Sequence, residues 1–115
     1  MTKLERTIKM NNNSIKLKSI VNEDFTDYYE FYNKLVEELD EFKTAIINLR
    51  ATNLLPQYYG NFEDSIKENV IEEFHDVIQS MIQLLLFENV SLREIIEGQE
   101  KHYKKLEKRG WKFNE

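Results

Sequence analysis

Apolar positions recur at three- and four-residue steps along two stretches of the chain, residues 24–50 and residues 65–87. This step is the period of an α-helix that packs by one face. Each stretch carries one apolar stripe, so the pattern predicts two long amphipathic helices. Asn22 or Asp24 is suited to cap the start of the first helix, because a short polar side chain can accept a bond from its free N–H groups.

A third helix is predicted by a capping-box sequence, in which Ser91 is followed three residues later by Glu94. We expect this helix to continue to about Arg109, since Gly110 is suited to the left-handed residue that ends many helices. The pattern as a whole predicts an all-α fold, with antiparallel helices that form a core of the four-helix-bundle type.

Residues 51–64 lie between the two long helices and contain the only proline of the chain. Proline and glycine interrupt regular structure, so a long loop is predicted here. Three aromatic residues lie in it, namely Tyr58, Tyr59 and Phe62. They can stack on a nucleotide base or hold the loop against the core, and the second interpretation is the one we favour.

Residues 1–20 have no clear period and are predicted to form a poorly ordered arm. Residues 21–115 are predicted to form a single helical domain, because a chain of 115 residues has room for one domain. Two long helices and a partial third are too few to close a good core. We therefore expect oligomerisation to complete the core.

Composition removes several classes of function. The chain has no cysteine, which excludes disulfides and thiolate chemistry. No apolar run approaches the roughly 20 residues that span a bilayer, and no signal peptide is evident, so a cytoplasmic protein is expected. The net charge of −5 argues against general binding of nucleic acid.

The two long helices each carry a pair of carboxylates three residues apart, Glu38 with Glu41 and Glu73 with Asp76. On a helix this spacing places both members of a pair on one face. Four carboxylates converge if the helices lie side by side, and their repulsion is relieved best by a divalent cation. Mg²⁺ prefers such oxygen ligands, with Mn²⁺ a possible substitute. A single pair is common on solvated helices, and two pairs on consecutive helices indicate a metal site more strongly.

The C-terminal segment is basic, in contrast to the acidic centre of the chain. Basic side chains near an acidic metal site suit a ligand that carries phosphate groups. A solvated helix face is the alternative, because the helix dipole also favours cations near a C-terminus. The candidates for phosphate binding are Lys101, Lys104 and Arg109.

The order Glu37-Glu38-x-x-Glu41, a spacer, and Glu73-x-x-Asp76 resembles the signature of the MazG-like all-α nucleoside triphosphate pyrophosphohydrolases. That superfamily includes dimeric dUTPases, dCTP pyrophosphatases and phosphoribosyl-ATP pyrophosphohydrolases. The stretch 69–79 is similar to its second motif, and 101–111 is similar to the C-terminal segment of short phage-type and bacterial members. The resemblance covers roughly residues 28–111 and leaves the N-terminal arm outside.

The resemblance implies a Mg²⁺-dependent enzyme that cleaves between the α- and β-phosphates of a (d)NTP. The products are a nucleoside monophosphate and pyrophosphate, and the activity controls the nucleotide pool. It also implies a homodimer or homotetramer. By the same resemblance Glu38, Glu41, Glu73 and Asp76 ligate the metal, Glu37 and Glu38 are the catalytic candidates, and Lys101, Lys104 and Arg109 contact phosphate.

Two other functions stay open at this point. One is a non-catalytic helical oligomer that binds nucleotides or regulates a partner, and the other is a coiled-coil adaptor with a solvated acidic surface. The sequence does not distinguish between bases, between canonical and damaged nucleotides, or between a dimer and a tetramer.

Overall fold

A computed structural model describes residues 15–19 and 22–112 of the chain. The described residues contain helices and no strand, which confirms the predicted all-α class. Within residues 15–19 and 22–112 four α-helices occur in order, and a short 3₁₀-helix at Gly60–Phe62 lies between the second and the third. Their bounds are α1 Tyr28–Leu54, α2 Pro56–Tyr59, α3 Glu63–Phe87 and α4 Leu92–Lys108.

Two compact units can be distinguished, one spanning Ser19–Val90 and the other containing α4. The predicted boundary between an arm at 1–20 and a domain at 21–115 stays a prediction, because most of the arm lies outside the described residues. Residues 15–19 have neither helix nor strand.

Helix α1 begins later than the sequence suggested. Its N-cap is Asp27, whose side chain accepts a hydrogen bond from the backbone N–H of Glu30. The prediction of Asn22 or Asp24 as the cap is therefore wrong. The Asn22 side chain instead accepts a bond from the backbone N–H of Asp24, which closes a local turn before the helix.

The connection between the long helices is also shorter than predicted. Helix α1 continues to Leu54, and Leu55 alone separates it from α2. Pro56 occupies the first turn of α2, where its missing N–H has no helical partner to lose. The segment expected to be a loop is therefore helical throughout, apart from Leu55.

Two of the three aromatic residues of this connection do not hold it against the core. Tyr58 is 73% exposed and Phe62 is 62% exposed, so that interpretation is wrong for both. The side chain of Tyr59 lies outside the described part of the structure.

The main packing of the first unit is between α1 and α3. The helices are antiparallel, because Phe31 near the start of α1 stacks on Phe87 at the end of α3, with ring centroids 4.8 Å apart. Phe42 and Phe74 meet nearer the middle, at 6.4 Å. Their arrangement agrees with the predicted helical bundle.

The core of this unit is small. Among its described residues, the buried apolar side chains are Phe31, Ala45, Val77 and Ile82. Other apolar residues of the same two helices are largely exposed, including Ile47 at 65% and Ile71 at 58%. Helices α1 and α3 therefore leave much of their apolar surface uncovered within one chain.

Helices α3 and α4 end with the same C-terminal capping motif. After α3, Asn89 has a positive φ of 65°, and the N–H of Val90 donates to the carbonyl of Leu85. After α4, Gly110 has a φ of 91°, and the N–H of Trp111 donates to the carbonyl of Leu106. Both are Schellman caps, which satisfy carbonyls that have no helical partner. The predicted stop at Gly110 is confirmed.

The start of α4 follows the sequence prediction as well. The Ser91 side chain accepts a bond from the backbone N–H of Glu94, and the Glu94 carboxylate accepts one from the backbone N–H of Ser91. The capping box is therefore complete. In the described part of the chain, no helix has the length and hydrophobicity that crossing a membrane requires.

Candidate metal centre

The acidic pairs predicted from the sequence meet where α1 packs against α3. Carboxylate oxygens of Glu38, Glu73 and Asp76 all lie within 4.8 Å of one another. Glu38 comes from the middle of α1, and the other two come from successive turns of α3. Packing of the helices brings together side chains that are 35 or more residues apart in the chain, and three oxygens at this separation suit one cation.

Burial differs across this acid cluster, by which we mean Glu38, Glu73 and Asp76. Glu38 is buried, whereas Glu73 and Asp76 are half-buried. The Oε2 atoms of Glu38 and Glu73 are both buried without a hydrogen-bond partner. A buried acceptor without a donor is costly, and two of them within one cluster are expected where a cation completes the bonding.

Glu41 lies beside the cluster and is exposed. The charge of Glu38 raises the pKa of Glu41, with smaller contributions from burial and from the charge of Glu73. Glu41, the fourth carboxylate of the predicted set, is therefore close enough to interact electrostatically with Glu38 and Glu73, and it lies at the solvent-exposed rim of the cluster. Its role as a ligand stays a prediction.

Asp76 shows the cost of gathering these acids. Burial raises the pKa of Asp76, and the charges of Glu38 and Glu72 raise it further. Lys34 and His75 act in the opposite direction. A carboxyl group whose charge is disfavoured by its surroundings gains most from a bound cation.

A cleft of about 350 Å³ adjoins the cluster, and it is lined by Glu73 of the cluster and by the neighbouring Glu41. Its volume is near the lower end of the range found for small-molecule sites. Five of its six lining residues have polar side chains, and α1 contributes four of the six. The lining residues are Asp40, Glu41, Thr44, Ala45, Asn69 and Glu73.

Lys34 was not singled out from the sequence. Its Nζ lies 2.9 Å from Oε1 of Glu38 and 3.7 Å from Oε2 of Glu37. The hydrogen bond to Glu38 raises the pKa of Lys34, and the nearby carboxylates add to this. The four-residue spacing between Lys34 and Glu38 is the signal that could have identified it.

The remaining candidates are Glu37, which lies outside the acid cluster on α1, and three basic residues of the second unit. Glu37 is exposed next to Glu38, and its only ion pair within the described residues is the one with Lys34. Lys101 and Lys104 are exposed on α4, and Arg109 is the C-cap of that helix. The catalytic role of Glu37 and the phosphate-binding role of the three basic residues stay predictions.

The family model for phosphoribosyl-ATP pyrophosphohydrolase matches residues 1–102. The match includes residues 1–20, which the resemblance noted in the sequence did not. No curated protein and no solved structure matches the chain. The match supports a pyrophosphohydrolase activity on nucleotides, and enzymes of this type are typically dependent on divalent metals. The chain belongs to the phosphoribosyl-ATP pyrophosphohydrolase family, one of the MazG-like all-α nucleotide pyrophosphohydrolases.

Proposed function

We propose that this protein is a Mg²⁺-dependent pyrophosphohydrolase that cleaves a (d)NTP to the (d)NMP and pyrophosphate. The observation that carries the proposal is the acid cluster, in which three carboxylates from two helices converge and two buried oxygens have no partner. A structural ion pair would supply a donor to each of these oxygens. A metal site leaves them available for the cation.

The residues present fit a hard divalent cation. Glu38, Glu73 and Asp76 would hold it, with Glu41 as the fourth carboxylate at the rim. The donor set is all oxygen, which suits Mg²⁺, with Mn²⁺ as a substitute. When bound, the ion supplies charge neutralisation for the triphosphate and lowers the pKa of a water that attacks phosphorus.

The chain's own groups account for the remaining requirements of the reaction. Glu37 is exposed beside Glu38 and is suited to orient a water molecule and accept its proton, because it is not part of the acid cluster. The cleft beside Glu41 and Glu73 is suited to hold the nucleotide next to the metal. Lys101, Lys104 and Arg109 are the proposed contacts to phosphate.

A homo-oligomer and a cytoplasmic location are part of the proposal. The support for the oligomer is the exposed apolar surface of α1 and α3, where Ile47, Leu54 and Ile71 are each more than half exposed. A monomer with so small a core leaves this surface in water, and a second copy of the chain would cover it. Sedimentation equilibrium of the purified protein distinguishes a monomer from a dimer or tetramer.

The test is an assay of the full chain with a panel of dNTPs, NTPs and phosphoribosyl-ATP in the presence of Mg²⁺. Pyrophosphate and orthophosphate are measured separately. We expect pyrophosphate release that is lost in Glu38→Gln, because this substitution removes a charged oxygen from the cluster. Glu97→Gln is the matched control, since Glu97 is an exposed acid with a local partner on α4.

Three other results of this assay would each change the proposed function. Orthophosphate without pyrophosphate would place the attack at the terminal phosphate and refute the proposed reaction. Release from phosphoribosyl-ATP alone would retain the reaction and correct the substrate. An absence of release from the whole panel, with Mn²⁺ also tested, would favour the nucleotide-binding module.

A further inference from the structure

The ion pair between Lys34 and Glu38 is unequal in its surroundings. The Glu38 side chain is only 8% exposed, whereas that of Lys34 is 40% exposed. The lysine therefore reaches from the surface to a buried carboxylate of the acid cluster, and it does so within one turn of the same helix. Of the ion pairs within the described residues, this is the one that includes a member of the cluster.

The two oxygens of Glu38 have different environments. Oε1 lies 2.9 Å from the Lys34 ammonium. Oε2 is buried without a hydrogen-bond partner, although the carboxylates of Glu73 and Asp76 are close. Because one oxygen is fixed by the lysine, the orientation of the carboxylate is set before any cation arrives.

We infer that Lys34 is a positioning residue, which holds Glu38 by Oε1 and keeps Oε2 available to a divalent cation. This inference rests on the proposed function, in which Glu38 is a metal ligand. Carboxylate ligands are commonly oriented by an outer hydrogen-bond partner, and loss of that partner typically weakens metal binding about 10–100-fold.

The charge of Lys34 has a second, opposing effect. An ammonium group near the site repels a divalent cation. If this repulsion were the only effect, removing the ammonium group would increase the affinity for the cation. Orientation dominates here because Glu38 is buried among other carboxylates. Without Lys34, Glu38 has both oxygens unpaired next to like charges, and it is expected to rotate away from Glu73 and Asp76.

The experiment measures the dissociation constant of the full chain for Mn²⁺, with no nucleotide present. Isothermal titration calorimetry and the electron paramagnetic resonance signal of free Mn²⁺ both give this constant. Lys34→Met is the test variant, because methionine keeps most of the apolar stem and removes the charge. We expect it to bind Mn²⁺ about 10–100-fold more weakly than the wild type. Lys34→Arg keeps the donor and should bind nearly as the wild type does.

Lys67→Met is the matched control. Lys67 and Glu63 form a pair with the same 2.9 Å separation and the same four-residue spacing, but both side chains are about half exposed and neither belongs to the cluster or lines the cleft. This control should leave the Mn²⁺ constant unchanged. It therefore separates the loss of any helical ion pair from the loss of this one.

Any of three results would overturn the inference. If Lys34→Met bound Mn²⁺ as tightly as the wild type, or more tightly, Lys34 would be a counter-charge or a structural ion pair, even if the metal-free protein melted at a lower temperature. If the wild type itself bound no Mn²⁺, the metal site would be refuted and the role of Lys34 with it. A Lys34→Met chain that did not fold would leave Lys34→Arg to decide, since weak binding there despite a retained donor would also contradict the inference.

Discussion

Acidic side chains occur in both units of the protein, in opposite settings. Between α1 and α3, Glu38 and Asp76 are wholly or partly buried near other acids, and burial raises the pKa of Asp76. On α4, Glu94 and Glu97 are exposed, and each has its own partner within one turn. The hydrogen bond from the Ser91 backbone lowers the pKa of Glu94.

The difference shows what each set of acids does for the fold. The charges of α4 stabilise their own helix, because a capping box and a pair spaced four residues apart are both favourable. The charges between α1 and α3 oppose folding, since like charges are gathered and partly desolvated. Acidic residues whose placement destabilises the fold are typical of functional sites. Substitutions in the two units should therefore change stability in opposite directions.

The largest effect is expected at the acid cluster. Asp76→Asn removes one of the mutually repelling charges while keeping the shape of the side chain, so the metal-free protein should become more stable, by about 1 kcal/mol. It should also lose the stabilisation by Mg²⁺, which reaches about 2.7 kcal/mol for the wild type at 100 times the dissociation constant. Thermal unfolding with Mg²⁺ and with a chelator measures both changes.

A solvated acidic surface predicts a different outcome for the same variant. Mg²⁺ would then shift the melting temperature of neither protein. Glu97→Gln serves as the control, because it removes an acid from α4 and should leave the Mg²⁺ effect intact.

The second prediction concerns pH. The pKa values of Glu41 and Asp76 are raised in the folded protein, so the folded state takes up protons before the unfolded state as pH falls. The metal-free protein should therefore become more stable on acidification through these raised values, until pH reaches the ordinary carboxyl range. Melting temperatures in a chelator across mildly acidic pH measure this gain, which should be smaller in Asp76→Asn.

Glu94 contributes with the opposite sign. Its pKa is lowered, so its stabilisation is present above the ordinary carboxyl pKa and is lost as pH falls through the lowered value. A wild-type protein whose stability fell steadily from neutral pH downward would contradict the dominance of the acid cluster.

The third prediction concerns the capping box of α4. Ser91→Ala removes the side chain that accepts a bond from the Glu94 N–H, and it should destabilise this helix by about 1 kcal/mol. Ser91→Asp keeps an acceptor at the cap and should have little effect. Hydrogen exchange of the first amides of α4 measures the change, and equal protection in both variants would show that the cap is not needed.

The smallest effect is expected for the exposed pair between Arg93 and Glu97. Their side chains are 87% and 60% exposed, so water screens an interaction at 2.9 Å. A double-mutant cycle with Arg93→Gln and Glu97→Gln should give a coupling of about 0.3–0.5 kcal/mol. A coupling several times larger would mean that this pair is shielded from solvent.

Local signals accounted for most of the helices. The capping box of Ser91 and the stop at Gly110 depend on residues three or four positions apart, so they were readable along the chain. The start of α1 was misplaced because several polar residues precede it, and the spacing does not single out Asp27, whose side chain accepts the capping hydrogen bond from Glu30. The helical connection after Leu54 was not predicted, because proline usually interrupts a helix. Pro56 instead occupies the first turn of α2, where proline is tolerated.

The amino-acid sequence by itself determined the all-α class, and it put two acid pairs on two amphipathic helices, since period and spacing are local properties. Only the tertiary structure decided which carboxylates converge. Antiparallel packing of α1 on α3 buried Glu38 beside Glu73 and Asp76 and left Glu41 at the rim. Burial and distance between helices depend on how two surfaces meet, and no spacing within one helix specifies that.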